Sequence, residues 1–279
     1  MINRICCKYF SPTGNTKKLA HVAAEYVAKE CNLPLYETDF TKLDNRLEKY
    51  EFGPEDFVIL AVPTYAGKLP NKILLDLKEK LQGNNTPAAA MVTFGNRSFD
   101  NSLAELIQVL KEDGFCPSGG AAFVCQHAFT QMLAAGRPRE NDLAQAGDFV
   151  LKCFNLAKDE DFLRESAGLQ VEGDADAPYY VPKGTDGQPA KFLKAKPKTD
   201  MDRCTNCGLC ADLCPMDSIN PQDITDVSGI CIKCHACVNG CPEGAKYFDD
   251  KAFLSHVAML EQNFTDEKDN RFFYLKQDI

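Results

Sequence analysis

The chain has 279 residues, 44% of them apolar, with fourteen cysteines and a formal net charge of −9. That length holds one ordinary domain and a small one, the acid excess disfavours nucleic acid as a partner, and no apolar run is long enough to span a membrane. No charged amino-terminal segment precedes an apolar stretch, and the richness in thiols calls for a reducing compartment, so a cytoplasmic protein is expected.

Residues 2 to 10 form an apolar strand, followed by the polar turn Ser11-Pro12-Thr13-Gly14-Asn15-Thr16 and then by Leu19, Val22, Ala23, Tyr26 and Val27 at helical spacing. A turn of hydroxyls and glycine at a helix amino terminus offers amides, side-chain donors and the positive end of the helix dipole to a phosphate. Equally, it is a plain cap in which Thr13 or Asn15 satisfies the first helical amides. A second strand runs from Leu35 to Asp39, and Phe40, Leu43 and Leu47 mark a short helix. The third strand, Phe57 to Val62, ends in Pro63-Thr64-Tyr65-Ala66-Gly67-Lys68-Leu69-Pro70. Ile73, Leu74, Leu77 and Leu81 give the next helix, Ala88 to Phe94 a fourth strand, Leu103, Leu106, Ile107 and Leu110 another helix, and Ala121 to His127 a fifth strand. A long helix is predicted from about 141 to 163, with Phe149, Val150, Cys153 and Phe154 on its apolar side. Five strands alternating with helices predict an α/β domain over residues 1–167, an open parallel sheet wound on both faces.

From 168 to 198 Gly173, Pro178, Pro182, Gly184, Gly187 and Pro189 interrupt every apolar period, which predicts a linker. A solvated tether is the default; Tyr179 and Tyr180 allow instead a wrap against the larger domain, and Lys191, Lys194, Lys196 and Lys198 allow a basic pin onto acidic neighbours.

Residues 199–250 carry one cysteine pattern twice: Cys204, Cys207, Cys210 and Cys214 before Pro215, then Cys231, Cys234, Cys237 and Cys241 before Pro242. This is the run of bacterial two-cluster ferredoxins, in which the fourth cysteine of each copy ligates the other cluster. The expected ligand sets are therefore Cys204, Cys207, Cys210 and Cys241 for one [4Fe-4S] cluster and Cys231, Cys234, Cys237 and Cys214 for the second. Disulfides would need an oxidising compartment, and zinc would take separate four-ligand sets. Ser218–Asn220 and Lys246–Phe248 are expected as short matching strands of a small domain built around metal. Between 198 and 250 there are nine acids against four Lys or Arg, a surface suited to basic patches on redox partners. The other six cysteines, Cys6, Cys7, Cys31, Cys116, Cys125 and Cys153, read as small buried hydrophobes. In the extension 251–279, Phe253, Val257, Leu260 and Phe264 predict a short helix, and Phe272 to Leu275 an apolar tail packed on the cysteine-rich domain or at the domain junction.

These features together resemble a known family. Residues 1–167 are similar to a flavodoxin, with Ser11, Thr13, Gly14, Asn15 and Thr16 in the FMN phosphate loop, and the whole chain resembles the flavodoxin-ferredoxin fusions of anaerobic bacteria and archaea, the EFR1 family ferredoxins. The resemblance implies the sheet order 2-1-3-4-5, with FMN at the carboxyl ends of the strands beside the switch point between the first and third. It also implies two loops around the flavin ring, Pro63-Thr64-Tyr65-Ala66-Gly67 and Phe94-Gly95-Asn96-Arg97-Ser98-Phe99-Asp100. Pro12 supplies no amide, and the chain has no tryptophan for ring stacking; Tyr65 and Phe99 are expected to stack, with Phe94 in the core. Arg97 is expected either at the flavin N1–C2 edge or as a turn cap. His127, ending the fifth strand, faces the flavin edge as a proton relay or as an ordinary strand-end histidine, the commoner case. His235 lies within the second cysteine motif, where its ring N–H can tune a cluster, although partial exposure is the more common state.

The expected function is electron transfer between two one-electron clusters and a flavin, exchanged with redox partner proteins. The alternative is a ferredoxin-fed flavin oxidoreductase that reduces a small acceptor such as a quinone; a redox sensor would need an output domain, and none is recognisable. No Gly-x-Gly-x-x-Gly turn follows a strand, so no direct NAD(P)H site is expected.

Overall fold

The computed structural model describes residues 1–159 and 161–275. Its larger body runs β1 (Arg4–Tyr9), α1 (Asn15–Cys31), β2 (Leu35–Asp39), α2 (Leu43–Leu47), β3 (Tyr50–Phe52), β4 (Asp56–Pro63), α3 (Asn71–Lys80), β5 (Leu81–Gly83), β6 (Thr86–Phe94), α4 (Ser102–Glu112), β7 (Phe115–Val124), α5 (Glu140–Leu156) and α6 (Phe162–Glu165). The remainder supplies β8 (Lys198–Thr199), α7 (Leu209–Asp212), α8 (Ala236–Asn239), β9 (Lys246–Tyr247), α9 (Lys251–Asn263) and β10 (Arg271–Tyr274).

The main sheet is ordered β10-β7-β6-β4-β1-β2, with every pair parallel except the antiparallel β10 and β7. Its central strands are largely apolar because both faces are covered. The two-residue period of a strand divides their side chains between layers: Val58, Leu60 and Val62 of β4 join Ile73, Leu77, Leu103 and Leu106 of α3 and α4, while Phe57, Ile59 and Ala61 join Leu19, Ala23, Phe149 and Phe154 of α1 and α5. Short strands β3 and β5 pair separately.

Several expectations are corrected. The sheet has six strands, because the tail expected on the cysteine-rich domain or at the domain junction adds to β7 instead. Gly119 permits it: a side chain there would meet the Phe273 carbonyl at 2.9 Å and Cys153 Sγ at 2.6 Å. Phe272 then sits 5.6 Å from Phe123 and 5.9 Å from Phe149, ring to ring. The last four residues, 276–279, of that extension lie outside the described residues. β7 stops at Val124, short of His127, since the amides of Gln126 and His127 bond within their own loop, to Arg137 and Leu133. The long helix ends at Leu156.

The linker is wrapped, not a solvated tether. Lys68 is only 8% exposed, and its ammonium ion is satisfied by Glu105 at 3.1 Å and by the Ala175 and Ala177 carbonyls at 2.7 and 2.9 Å. The Tyr180 amide donates to Ala66 and the Tyr179 hydroxyl to Leu69, each at 2.8 Å. Lys196 donates to carbonyls, those of Val227 and Ser228, and Lys198 pairs with Asp249 at 2.6 Å. Within the cysteine-rich body β9 pairs antiparallel with β8, whereas Ser218–Asn220 forms no strand and bonds to the nearby turn through Asn220 N to Asp226 O at 3.0 Å.

Candidate functional site

The eight repeat cysteines fall into two groups. One small cavity is lined by Cys204, Cys207, Cys210 and Cys241, and another by Cys214, Cys231, Cys234 and Cys237. One-turn helices α7 and α8 carry Cys210 and Cys237, and the Cys-Pro step after each takes the chain across to the other half. Amides of Asn206, Ser218 and Ala245 donate to the Sγ atoms of Cys204, Cys214 and Cys241, each at 3.3 Å. Among the described residues no three His, Cys, Asp or Glu side chains are grouped to hold a single metal ion; a cubane holds its four thiolates farther apart than one tetrahedral ion does. Burial pushes the Cys237 thiol up to about 12 and raises those of Cys231 and Cys234. Thiolates in that apolar cavity need a strong local cation, which cluster iron supplies. The two sets differ in exposure: Cys207 is exposed, whereas Cys234 and Cys237 are buried.

The turn before α1 is built as an open cradle. Gly14 caps the helix at φ 89° with no side-chain cap, so neither Thr13 nor Asn15 plays the capping part. Ser11 Oγ accepts from the Lys17 amide at 2.9 Å, and among the described residues no protein acceptor meets the amides of Asn15 and Thr16. Free amides at a helix amino terminus fit a phosphate. Neighbours brace the loop: the Ser11 amide donates to Thr41 Oγ1 at 2.7 Å, and Asn15 Nδ2 donates to the Gln126 carbonyl at 3.3 Å. Thr16 departs from the expectation, because its buried hydroxyl pairs with Thr93 Oγ1 at 2.8 Å instead of facing the cradle. Thr41, Thr93 and Gln126 were not singled out in the sequence, and nothing local marks them; Lys17 had a signal, a cation in the first helical turn.

The two ring loops meet each other. Ala66 and Gly67 are left-handed, at φ 47° and 78°, and a side chain on Gly67 would meet Asp100 Oδ2 at 2.4 Å. Thr64 Oγ1 pairs with Ser102 Oγ at 2.7 Å, and Pro63 closes β4. Phe99 is corrected from stacking platform to core: it is buried 5.5 Å from Phe94, centroid to centroid. Asn96 is likewise used structurally, donating to the Phe264 and Asp266 carbonyls at 2.6 and 2.9 Å. Arg97 pairs with Asp100 and lies over the Tyr180 ring at 3.9 Å, so its guanidinium is already engaged within the protein. Tyr65 remains the half-buried aromatic of these loops. Burial, then the thiols of Cys234 and Cys231, hold its phenol well above the ordinary value.

Met216 and Ile232 of the cysteine-rich body pack against the core of the sheet body. The cysteine-rich body sits on the carboxyl edge of the sheet, and a cleft of about 570 Å³ is lined on one side by Ser11, Thr13, Gly14 and Lys17 and on the other by Cys214, Pro215, Ala236 and Asn239. The ring loops 63–67 and 94–100 do not line this cleft. Gly95 is packed by His127, whose Cδ2 lies 2.4 Å from where a side chain would begin. Burial, with the charges of His256 and Arg97 adding to it, pushes His127 down to about 4; its Nδ1 accepts from the Phe129 amide at 3.1 Å. Phe129 in turn lies 4.7 Å from His235. His235 is buried, not partly exposed.

Family models described as 4Fe-4S binding domains match residues 197–220 and 228–244. No curated protein matches the chain. Among solved structures, a flavodoxin from the domain Archaea aligns at 16% identity and TM-score 0.41, over 56% of this chain and 99% of its own. A short-chain flavodoxin associated with a non-canonical PDU bacterial microcompartment aligns at 14% identity and TM-score 0.41, over 57% and 100%. Flavodoxin 2 from Bacillus cereus, oxidised, aligns at 16% identity and TM-score 0.39, over 55% and 98%. The larger body is flavodoxin-like by its own topology, since its parallel strands run β2-β1-β4-β6-β7, the flavodoxin-like order 2-1-3-4-5.

Proposed function

We propose that this chain is an electron-transfer protein that carries FMN on the sheet body and two [4Fe-4S] clusters in the cysteine-rich body, passes single electrons between them, and exchanges electrons with redox partner proteins. Bound clusters supply one-electron exchange, and a bound flavin takes one or two electrons. The observation that carries the reading is the seating of the second cysteine set against the sheet body, where Cys214 shares a cleft with the phosphate loop. Ser11, Thr13, the Asn15 and Thr16 amides and Lys17 would hold the phosphate end of FMN. Tyr65 would border the ring.

The other cysteine set gives the outward face. Cys207 is exposed, and Asp202, Asp212 and Glu243 are exposed beside the first motif or its crossed Cys241, which suits a donor or acceptor with a basic patch. A one-electron protein donor should therefore reduce the clusters first and the flavin second, and 1 M salt, where the screening length is only about 3 Å, should slow it. Anaerobic stopped-flow absorbance with freeze-quench EPR measures both steps. Rapid flavin reduction by NADH alone, in a Cys204→Ala, Cys231→Ala chain, would overturn the reading.

A second reading on the same cofactors is that the flavin passes cluster-delivered electrons to a small acceptor such as a quinone. Saturable quinone reduction by protein reduced through its clusters is the outcome that would select it.

A further inference from the structure

The two copies of the cysteine motif differ at the residue after their second cysteine, which is Gly208 in the first and His235 in the second. Both residues are left-handed, at φ 78° and 61°. Glycine adopts that conformation freely, whereas a side chain strains it, and strain of this kind concentrates at functional positions. The ring is 6% exposed. It stacks on Phe248 at 4.8 Å with the planes 5° apart, and Phe129 of the sheet body lies 4.7 Å away. With Phe253 of α9 also 5.4 Å away, rings from both bodies thus fix its orientation. His235 also lines the cavity ringed by Cys214, Cys231, Cys234 and Cys237, and its Nε2 is buried without a hydrogen-bond partner. A buried ring nitrogen left unpaired is costly, and the rest of that cavity lining is largely apolar.

We infer that His235 donates a hydrogen bond from Nε2–H to a sulfur of the second cluster and raises that cluster's reduction potential. The inference rests on the reading of those four cysteines as one ligand set. A donor aimed at a cluster sulfur stabilises the reduced, more negative cluster more than the oxidised one, so it shifts the potential upward. Gly208 offers the first cluster nothing equivalent. Phe129 is a positioning residue in this arrangement, and it ties the imidazole to the flavin side through His127, 5.0 Å from Phe129 and packed over Gly95.

Two measurements test it. In the native chain carrying histidine labelled with ¹⁵N in the imidazole ring only, pulsed EPR of the reduced protein should show one imidazole nitrogen coupled to only one of two cluster signals. In EPR-monitored titrations, His235→Gly, which restores the residue used by the first copy, and His235→Phe, which keeps an aromatic ring without the N–H, should lower the midpoint of the second cluster and leave the first unchanged. Two cluster signals without imidazole coupling, or an unshifted midpoint in His235→Phe, overturn the inference alone. Absence of a second [4Fe-4S] signal in the native chain overturns the ligand reading and the inference with it. Should neither variant assemble, the labelled native protein still decides.

Discussion

Arg46, on α2 of the sheet body, donates from its guanidinium to the carbonyl of Pro215, the residue that follows the fourth cysteine of the first motif. Its side chain is 1% exposed, pairs with Asp76 at 2.9 Å, and donates to the Phe40 and Thr41 carbonyls at 2.8 Å each. One buried cation therefore ties the phosphate-side loop of one body to the cluster turn of the other. Arg46→Leu leaves Asp76 and the carbonyls it served without their donor, and removing one partner of a buried pair costs about 3–5 kcal/mol. Asp76 is partly solvated, so the low end is expected. Thermal unfolding under anaerobic conditions checks this; an unchanged Tm would show that the tie contributes nothing.

Cys214→Ser should damage the cluster held by Cys231, Cys234 and Cys237, although Cys214 belongs to the first motif. The four line one cavity. EPR of the reduced variant reads each cluster, and damage confined to the one held by Cys204, Cys207 and Cys210 would contradict the crossed arrangement.

The phosphate cradle separates three substitutions by mechanism. Gly14→Val meets nothing within 4 Å, so its harm comes from φ 89°, and FMN should be lost with iron content intact. Lys17→Gln removes a cation from the cradle, and since a hydrogen bond to a charged group contributes about 1.5–3 kcal/mol, FMN should bind at least about tenfold more weakly. Thr16→Ala should instead leave Thr93 Oγ1 unpaired and reduce stability by about 1–3 kcal/mol with a smaller effect on FMN. Flavin titration and denaturant unfolding on the same samples distinguish the three.

Acid should destabilise the fold through His127 and His256, whose imidazoles are lowered chiefly by burial. Above pH 6.5 both folded and unfolded chains keep these rings neutral. Below it the unfolded chain takes up protons that the folded chain refuses, so stability declines from about pH 6.5 towards 4, the value for His127. His127→Phe should flatten that slope in urea unfolding at pH 7, 5.5 and 4.5; an identical slope would remove His127 from the account.

The alternation of strands and helices, the turn before α1 and the cysteine repeat were all legible in the chain, because each is a local pattern of period, turn chemistry or ligand spacing. The apolar tail shows where local pattern stops. Its Phe272 and Phe273 state that the segment will be buried, but only the folded sheet offers the open edge of β7 beside Gly119, so tertiary structure decided that it becomes a sixth strand. Phe99, Asn96 and Arg97 are a similar case. A motif marks their loop, while their side chains are taken by Phe94 in the core, by the distant carbonyls of Phe264 and Asp266, and by Asp100 with the distant ring of Tyr180. Composition likewise suggested a tether from 168 to 198, yet the buried ammonium ion of Lys68 needs the carbonyls of Ala175 and Ala177, and that need fixes the segment against the sheet body. Local spacing was enough to group the cysteines. The seating of the second group against the sheet body, with His235 held between Phe248 and Phe129, came from contacts between two bodies whose surfaces exist only once each has folded.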